Sequence, residues 1–129
     1  MSFRKRRTEA SERFAERRRR EDEAPRLKER VPRLVSLKLE VEETHDTSDT
    51  GRAKHVRHVV VANAPALFLF PCGDTSCEGG GYDVTETVMR ALESRSEHFT
   101  ADDRCYGTIN NVPCERTLHV SATATYEPD

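Results

Sequence analysis

Four cysteines, Cys72, Cys77, Cys105 and Cys114, are the side chains in this 129-residue sequence whose type and spacing point most directly to chemistry. They form two pairs, C-x4-C and C-x8-C, each within a turn-rich stretch. Thiolates from two such loops can fill one tetrahedral zinc site, with each sulfur about 2.3 Å from the metal. Gly73, Gly79, Gly80, Gly81 and Gly107 supply the yielding backbone that a metal loop needs, and Pro71 and Pro113 each precede a cysteine. The spacings are looser than the C-x2-C of a tight knuckle. Two disulfides, one disulfide with free thiols, and four unbridged thiols are therefore the alternatives. His98 and His119 are possible substitute ligands. With four sulfurs bound, a zinc ion has no open position for water, so the expected Zn2+ is structural and its binding energy becomes folding energy.

Other chemistry is harder to find. H-E-x-x-H, G-x-S-x-G and the phosphate-binding G-x-x-x-x-G-K-[ST] do not occur. Absence of C-x-x-C removes both the thioredoxin-type redox motif and the second half of the zinc deaminase signature. A nucleophile pair of Cys105 with His98 is conceivable, but nothing singles it out. Gly79-Gly80-Gly81 before a helix could offer amides to an anion. Asp74, Glu78 and Asp83 around it argue instead for a link between metal loop and helix. His45, His55 and His58 flank a polar loop, where a second weak metal site is the minor reading. No catalytic residue is assigned, and the chain is read as a non-enzyme.

Charge divides the chain. Residues 1–30 hold twelve lysines and arginines against seven acids, a net of +5, whereas the remaining residues carry a net of −7. With 35% hydrophobic and 34% charged residues, the apolar inventory is thin for a core spread over the full length. The expected division is a basic arm, 1–32, helical or disordered, and a zinc-stapled α/β domain, 33–129. Ser11 to Glu23 has helix-forming composition, including the favourable Glu16–Arg20 spacing, but no continuous apolar stripe. Arg4, Lys5, Arg6, Arg7, Arg17, Arg18, Arg19 and Arg20 are the candidate nucleic-acid contacts, acting through charge with little sequence preference. The acidic body lacks the exposed aromatic pairs on which sheet-based RNA binders stack bases. No apolar run approaches the roughly 20 residues of a membrane span, and no apolar stretch of a secretory leader follows the basic start. A cytoplasmic location is expected, where cysteines bind metal more often than they form disulfides.

The elements that must position the cysteines follow from periodicity. Val35, Leu37, Leu39 and Val41 alternate with polar residues, predicting a half-buried strand from Leu34. A polar loop over 43–54 and a second strand over 55–62 come next. Ala66-Leu67-Phe68-Leu69-Phe70 predicts a central third strand, paired in a meander with the first two. Asp83 as N-cap and Glu86 three residues on predict a helix ending near Ser94 or Arg95, with Val84, Val88, Ala91 and Leu92 inward. Residues 96–104 read as a connector, and 117–126 as the last strand. The fold class expected is α+β: a small, mostly antiparallel four-stranded sheet, β-β-β-α-β, with one packed helix and a four-cysteine zinc-stapled edge. If all four cysteines meet, the third and last strands must lie antiparallel at the metal. The functional expectation is a zinc-binding accessory module whose arm contacts RNA or a ribonucleoprotein. The alternative is an adaptor whose arm folds as a helix on an acidic protein partner.

Overall fold

The computed structural model describes residues 15–45, 48–74 and 76–128. Arg4, Lys5, Arg6 and Arg7 lie outside the described residues. In chain order the elements begin with a helix over residues 15–23, α1. There follow α2 (Leu27–Arg30), β1 (Leu34–His45), β2 (Ser48–Val59), β3 (Leu69–Phe70), β4 (Tyr82–Asp83) and α3 (Thr85–Glu93). The chain ends with β5 (His98–Arg104), β6 (Thr108–Ile109), β7 (Val112–Pro113) and β8 (Thr117–Tyr126). The class is α+β, with one four-stranded antiparallel sheet in the order β2-β1-β8-β5.

The two strands with the longest alternation form the centre of that sheet. Leu37, Leu39 and Val41 of β1 stand opposite Ala124, Ala122 and Val120 of β8, and all six are buried. Small alanines on β8 leave room above them for Val84, Val88, Met89 and Leu92 of the α3 region, which belong to the same core. The start of β1 departs from the simple alternation. A register shift between Leu34 and Ser36 buries Leu34 completely and turns Val35 outward, 52% exposed.

The expected central strand over 66–70 is corrected. Only Leu69 and Phe70 pair as a strand, and they pair with Tyr82 and Asp83 in a separate ribbon. The backbone of this apolar run is satisfied elsewhere: Ala66 N–H donates to the Pro25 carbonyl, and Phe68 N–H to Thr85 Oγ1. The central place expected for it is taken by β8, between β1 and β5, whose ten alternating residues form a far longer ladder than a five-residue run bracketed by Pro65 and Pro71. The fourth strand of the sheet is instead His98–Arg104, expected as a connector, and it lies along the outer edge of β8. The polar loop expected over 43–54 is largely absorbed into the long β1–β2 hairpin.

Helix α3 starts at Thr85 with Val84 as N-cap, one residue later than the capping pattern predicts. Asp83 still serves the turn, its Oδ1 accepting the Thr85 N–H at 3.0 Å, while Glu86 pairs with Arg90 rather than with the helix start. At the other end Arg95 adopts φ 58°, and Ser96 N–H reaches the Ala91 carbonyl, the 6→1 bond of a Schellman stop. The basic N-terminal stretch is anchored to this body by Leu27 and Val31, both buried in the core. Leu27 N–H also bonds the Ala64 carbonyl at 2.8 Å.

Candidate metal centre

The sulfur cluster sits where the sheet meets the two short ribbons. Cys105 directly follows β5, and its N–H donates to the Arg116 carbonyl, extending the β5–β8 ladder by one step. Between Cys105 and Cys114 the chain turns through the β6–β7 ribbon, with Asn110 and Asn111 both at positive φ. Two adjacent positive-φ residues are what a type I′ hairpin turn requires, and asparagine tolerates them better than most residues. Cys72 leaves β3 and Cys77 follows a turn in which Asp74 accepts from both the Ser76 and Cys77 N–H groups. A bridge joins the two loops: Glu78 and Thr108 exchange backbone hydrogen bonds at 2.8 and 3.0 Å.

This scaffold brings all four sequence-predicted ligands together. Their sulfurs lie within 4.8 Å of one another, in a set that can hold a metal ion. Cys72 Sγ is 3.8 Å from Cys114 Sγ, and Cys77 Sγ is 3.6 Å from Cys105 Sγ. Four sulfurs placed about 2.3 Å from one central ion in a tetrahedron are separated by about 3.8 Å. The observed contacts match that edge length. The expected meeting of residues 72 and 114 is therefore realised, but β3 and β8 do not pair. The last strand runs beside β1 and β5 instead.

Backbone amides complete the surroundings of the sulfurs. Asp74 N–H points to Cys72 Sγ at 3.5 Å and Gly107 N–H to Cys105 Sγ at 3.4 Å, the same i+2 relation in both loops. Such donors stabilise thiolate charge. At Cys105 burial pushes the thiol up, but the amides of Gly107 and Gly81 and the thiols of Cys77 and Cys72 outweigh it, so its pKa falls below the usual value. Burial pushes the Cys72 thiol up to about 12 and raises Cys77 as well. Metal binding must displace those protons, so ligation and proton release are linked here.

Two glycines are required by space. A Cβ on Gly80 would lie 2.3 Å from Cys77 Sγ and 2.7 Å from Cys105 Sγ, and one on Gly107 would lie 2.4 Å from Cys77 Sγ. The glycine run thus forms part of the wall of the sulfur cluster. In the sequence these glycines read only as yielding backbone for the metal loops, not as a wall against the sulfurs.

A buried polar group beside the cluster carries no sequence signal. Glu43 is 8% exposed; its Oε2 accepts the Tyr82 hydroxyl at 2.6 Å and the Gly73 N–H at 2.9 Å. Arg116 lies 3.8 Å from Glu43 and 3.9 Å from Asp74. Glu43 thereby ties β1 to the residue after Cys72, and it holds the Tyr82 phenol proton: burial first, then this hydrogen bond, raises the Tyr82 pKa.

Among the described residues no histidine joins the sulfur cluster. His119 alternates outward from β8, and its Nδ1 meets Asp102 Oδ1 across the strand at 2.6 Å, with Ser121 Oγ 3.4 Å from Nε2. The three have the connectivity of nucleophile, base and orienting acid. They stand on an open strand surface, however, and β8 is hydrogen-bonded on both sides, so the ladder already uses the amides an oxyanion hole would need. His98 begins β5, and Cys105 follows its end. Seven residues of strand, about 23 Å, separate them, which removes the conceivable Cys105–His98 pair. His55 and His58 are exposed on β2.

Of the arginines expected to contact nucleic acid, Arg17–Arg20 lie on α1. Arg17 pairs with Glu21, Arg19 with Glu16, and Arg20 approaches Asp83 at 3.9 Å. Among the described residues no helix is long and apolar enough to cross a membrane. Comparison with known proteins finds no matching family model, curated protein or solved structure.

Proposed function

We propose that this chain is a non-enzymatic accessory module, stapled by one structural Zn2+ on Cys72, Cys77, Cys105 and Cys114, whose arginine-rich N-terminal segment contacts RNA or a ribonucleoprotein. The metal half of the reading is supported by the convergence of four sulfurs within 4.8 Å of one another, with two of their contacts at tetrahedral edge length. A four-sulfur tetrahedron suits zinc, with a single iron as the competing occupant. Such a site is coordinatively full, so the ion holds the loops and activates no water. Elemental analysis of the purified full chain tests the metal: one zinc per chain is expected, and a metal-free or iron-loaded protein overturns it.

The RNA half rests on the twelve basic residues among the first thirty. A filter-binding titration with bulk RNA at two salt concentrations tests it, comparing the full chain with a variant lacking residues 1–23. That deletion removes all eight candidate contacts and keeps Leu27 and Val31, which the core needs. Binding through phosphate contacts weakens steeply with salt, with a log–log slope of about −0.7 per contact on single strands. No affinity at low salt, or affinity that survives the deletion, defeats the reading. One observation favours the adaptor alternative: α1 already sets Arg20 against the body's Asp83, a helix on an acidic surface in miniature. A zinc-loaded protein without RNA affinity would shift the assignment to that alternative. The reading expects the cytoplasm, where thiolates stay reduced.

A further inference from the structure

We infer that the sulfur cluster is a two-state staple: oxidation by a hydroperoxide replaces the metal with two disulfides that run between the cysteine loops, Cys72–Cys114 and Cys77–Cys105, and keep the loops joined. The inference rests on the metal reading above for its starting state, while the disulfide pattern rests on the sulfur geometry alone. The sulfurs in contact belong to different loops, at 3.8 Å and 3.6 Å. A disulfide needs about 2.05 Å, so each sulfur moves by less than about 1 Å along its contact. None of the four is already in a disulfide.

Access sets the order of events. Cys77, Cys105 and Cys114 are buried at 2–4% exposure, whereas Cys72 is only partly buried. The Cys72 sulfur attacks the peroxide; an S–O bond forms, the O–O bond breaks, and the departing oxygen leaves as water from hydrogen peroxide or as the alcohol from an organic hydroperoxide. Cys114, its contact neighbour, then attacks the sulfenic sulfur; an S–S bond forms and the second oxygen leaves as water. The two sulfurs lose two electrons and the peroxide gains them. For metal-bound thiolates, two protons are taken from solvent. With two ligands gone the ion departs, and a second peroxide oxidises Cys77 and Cys105 in the same way. Cross-loop bonds close long loops in the chain, the kind of constraint that restricts the unfolded state most. Intra-loop bonds, Cys72–Cys77 and Cys105–Cys114, would instead free the two loops from each other.

The test uses the full chain purified with its metal. Metal content is measured first. Hydroperoxide is then added stepwise with a metal-indicator dye present, free thiols are alkylated, and disulfides are mapped by mass spectrometry of proteolytic peptides. The expected result is complete metal release at one equivalent of peroxide per chain and both cross-loop disulfides at two, with an unchanged far-ultraviolet dichroism spectrum. Intra-loop disulfides, release accompanied by sulfinic acids instead of disulfides, or collapse of the spectrum on oxidation would each overturn the inference. A chain without metal at the first step defeats the tetrathiolate reading, and the peptide map of that same sample still decides the pairing.

Discussion

Substituting Gly107 by alanine is the sharpest probe of the cluster, because the added methyl has nowhere to go. Its carbon would stand 2.4 Å from Cys77 Sγ and 2.6 Å from the Gly80 Cα. Ordinary non-bonded carbon contacts are about 3.5–4.0 Å, so the sulfur or the opposing backbone must retreat by roughly 1 Å. Metal–ligand distances tolerate about 0.2 Å. Overpacking costs about 1–3 kcal/mol. Losing one of four ligands adds about 3 kcal/mol, taking a quarter of the roughly 10–16 kcal/mol that a structural zinc supplies. The sum, about 4–6 kcal/mol, is a large share of a typical domain's stability of about 5–15 kcal/mol. At roughly 4 °C per kcal/mol for a domain of this size, Tm should fall by some 15 °C or more, with metal content well below one per chain. Gly79→Ala is the matched control. A Cβ there meets nothing within 4 Å, but φ is +68°, so only the left-handed backbone penalty of about 1–2 kcal/mol applies. Metal should stay stoichiometric. If Gly107→Ala retains its metal and loses no more Tm than Gly79→Ala, the close packing of backbone on sulfur is not what shapes the site.

The polar group beside the cluster makes a second prediction. Glu43→Gln removes the charge facing Arg116, whose side chain is only 17% exposed. Breaking a buried pair costs about 3–5 kcal/mol; the 3.8 Å separation and the nearby Asp74 place this one at the lower end. Tyr82→Phe deletes a hydrogen bond to a charged acceptor, about 1.5–3 kcal/mol, and chemical denaturation of the double variant should show less than the summed loss. A double variant whose losses simply add would mean the two groups act separately. The folded Tyr82 keeps its proton where the unfolded phenol, with its usual pKa near 10, ionises. Stability from the neutral phenol is therefore complete below about pH 10 and falls as pH rises further. Tyr82→Phe should flatten that alkaline decline, and an unchanged slope would refute the assignment. Stripping the metal with a strong chelator should abolish hydrogen-exchange protection at Glu78 and Thr108, whose amides bridge the two loops, while protection of β1 and β8 amides persists. Uniform loss across the sheet would show that the metal supports the entire fold.

Legibility in the sequence tracked the length of the periodic pattern. β1 and β8 alternate over many residues and α3 shows a clean inward face, so all three were visible. β5 was not, because His98-Phe99-Thr100-Ala101-Asp102-Asp103-Arg104 offers only Phe99 and Ala101 to the core and carries two aspartates that strands disfavour. An edge strand needs little more, since one neighbour fixes it. The apolar run Ala66–Phe70 misled in the opposite sense: Ala66, Phe68 and Phe70 are buried while Leu67 and Leu69 are half-buried, and its backbone finds partners outside the four-stranded sheet. Val35 read as a core residue until a bulge turned it outward. Leu27 and Val31 are two apolar side chains among lysines and arginines, too sparse to read as an anchor, yet both are buried.

The cysteines were legible by a different route, through residue chemistry rather than period, and the structure explains why their loose spacing is sufficient. A tight knuckle presents two sulfurs from one short turn. Here each loop is instead held by its own two-residue ribbon, β3–β4 for one and β6–β7 for the other, with the Glu78–Thr108 bridge between them. Ribbons that short are unstable in isolation. The first is anchored by Phe70 and Tyr82 in the core, but the second contributes only partly buried Ile109 beyond its cysteines. What orders the second loop is therefore its register on the β5–β8 ladder at one end and its sulfurs at the other. The long spacing between Cys105 and Cys114 is the length of chain needed to leave that ladder at Arg104, turn through two asparagines, and return to it at Thr117. The spacing that weakens the motif in the sequence is thus set by the sheet edge to which the motif is attached.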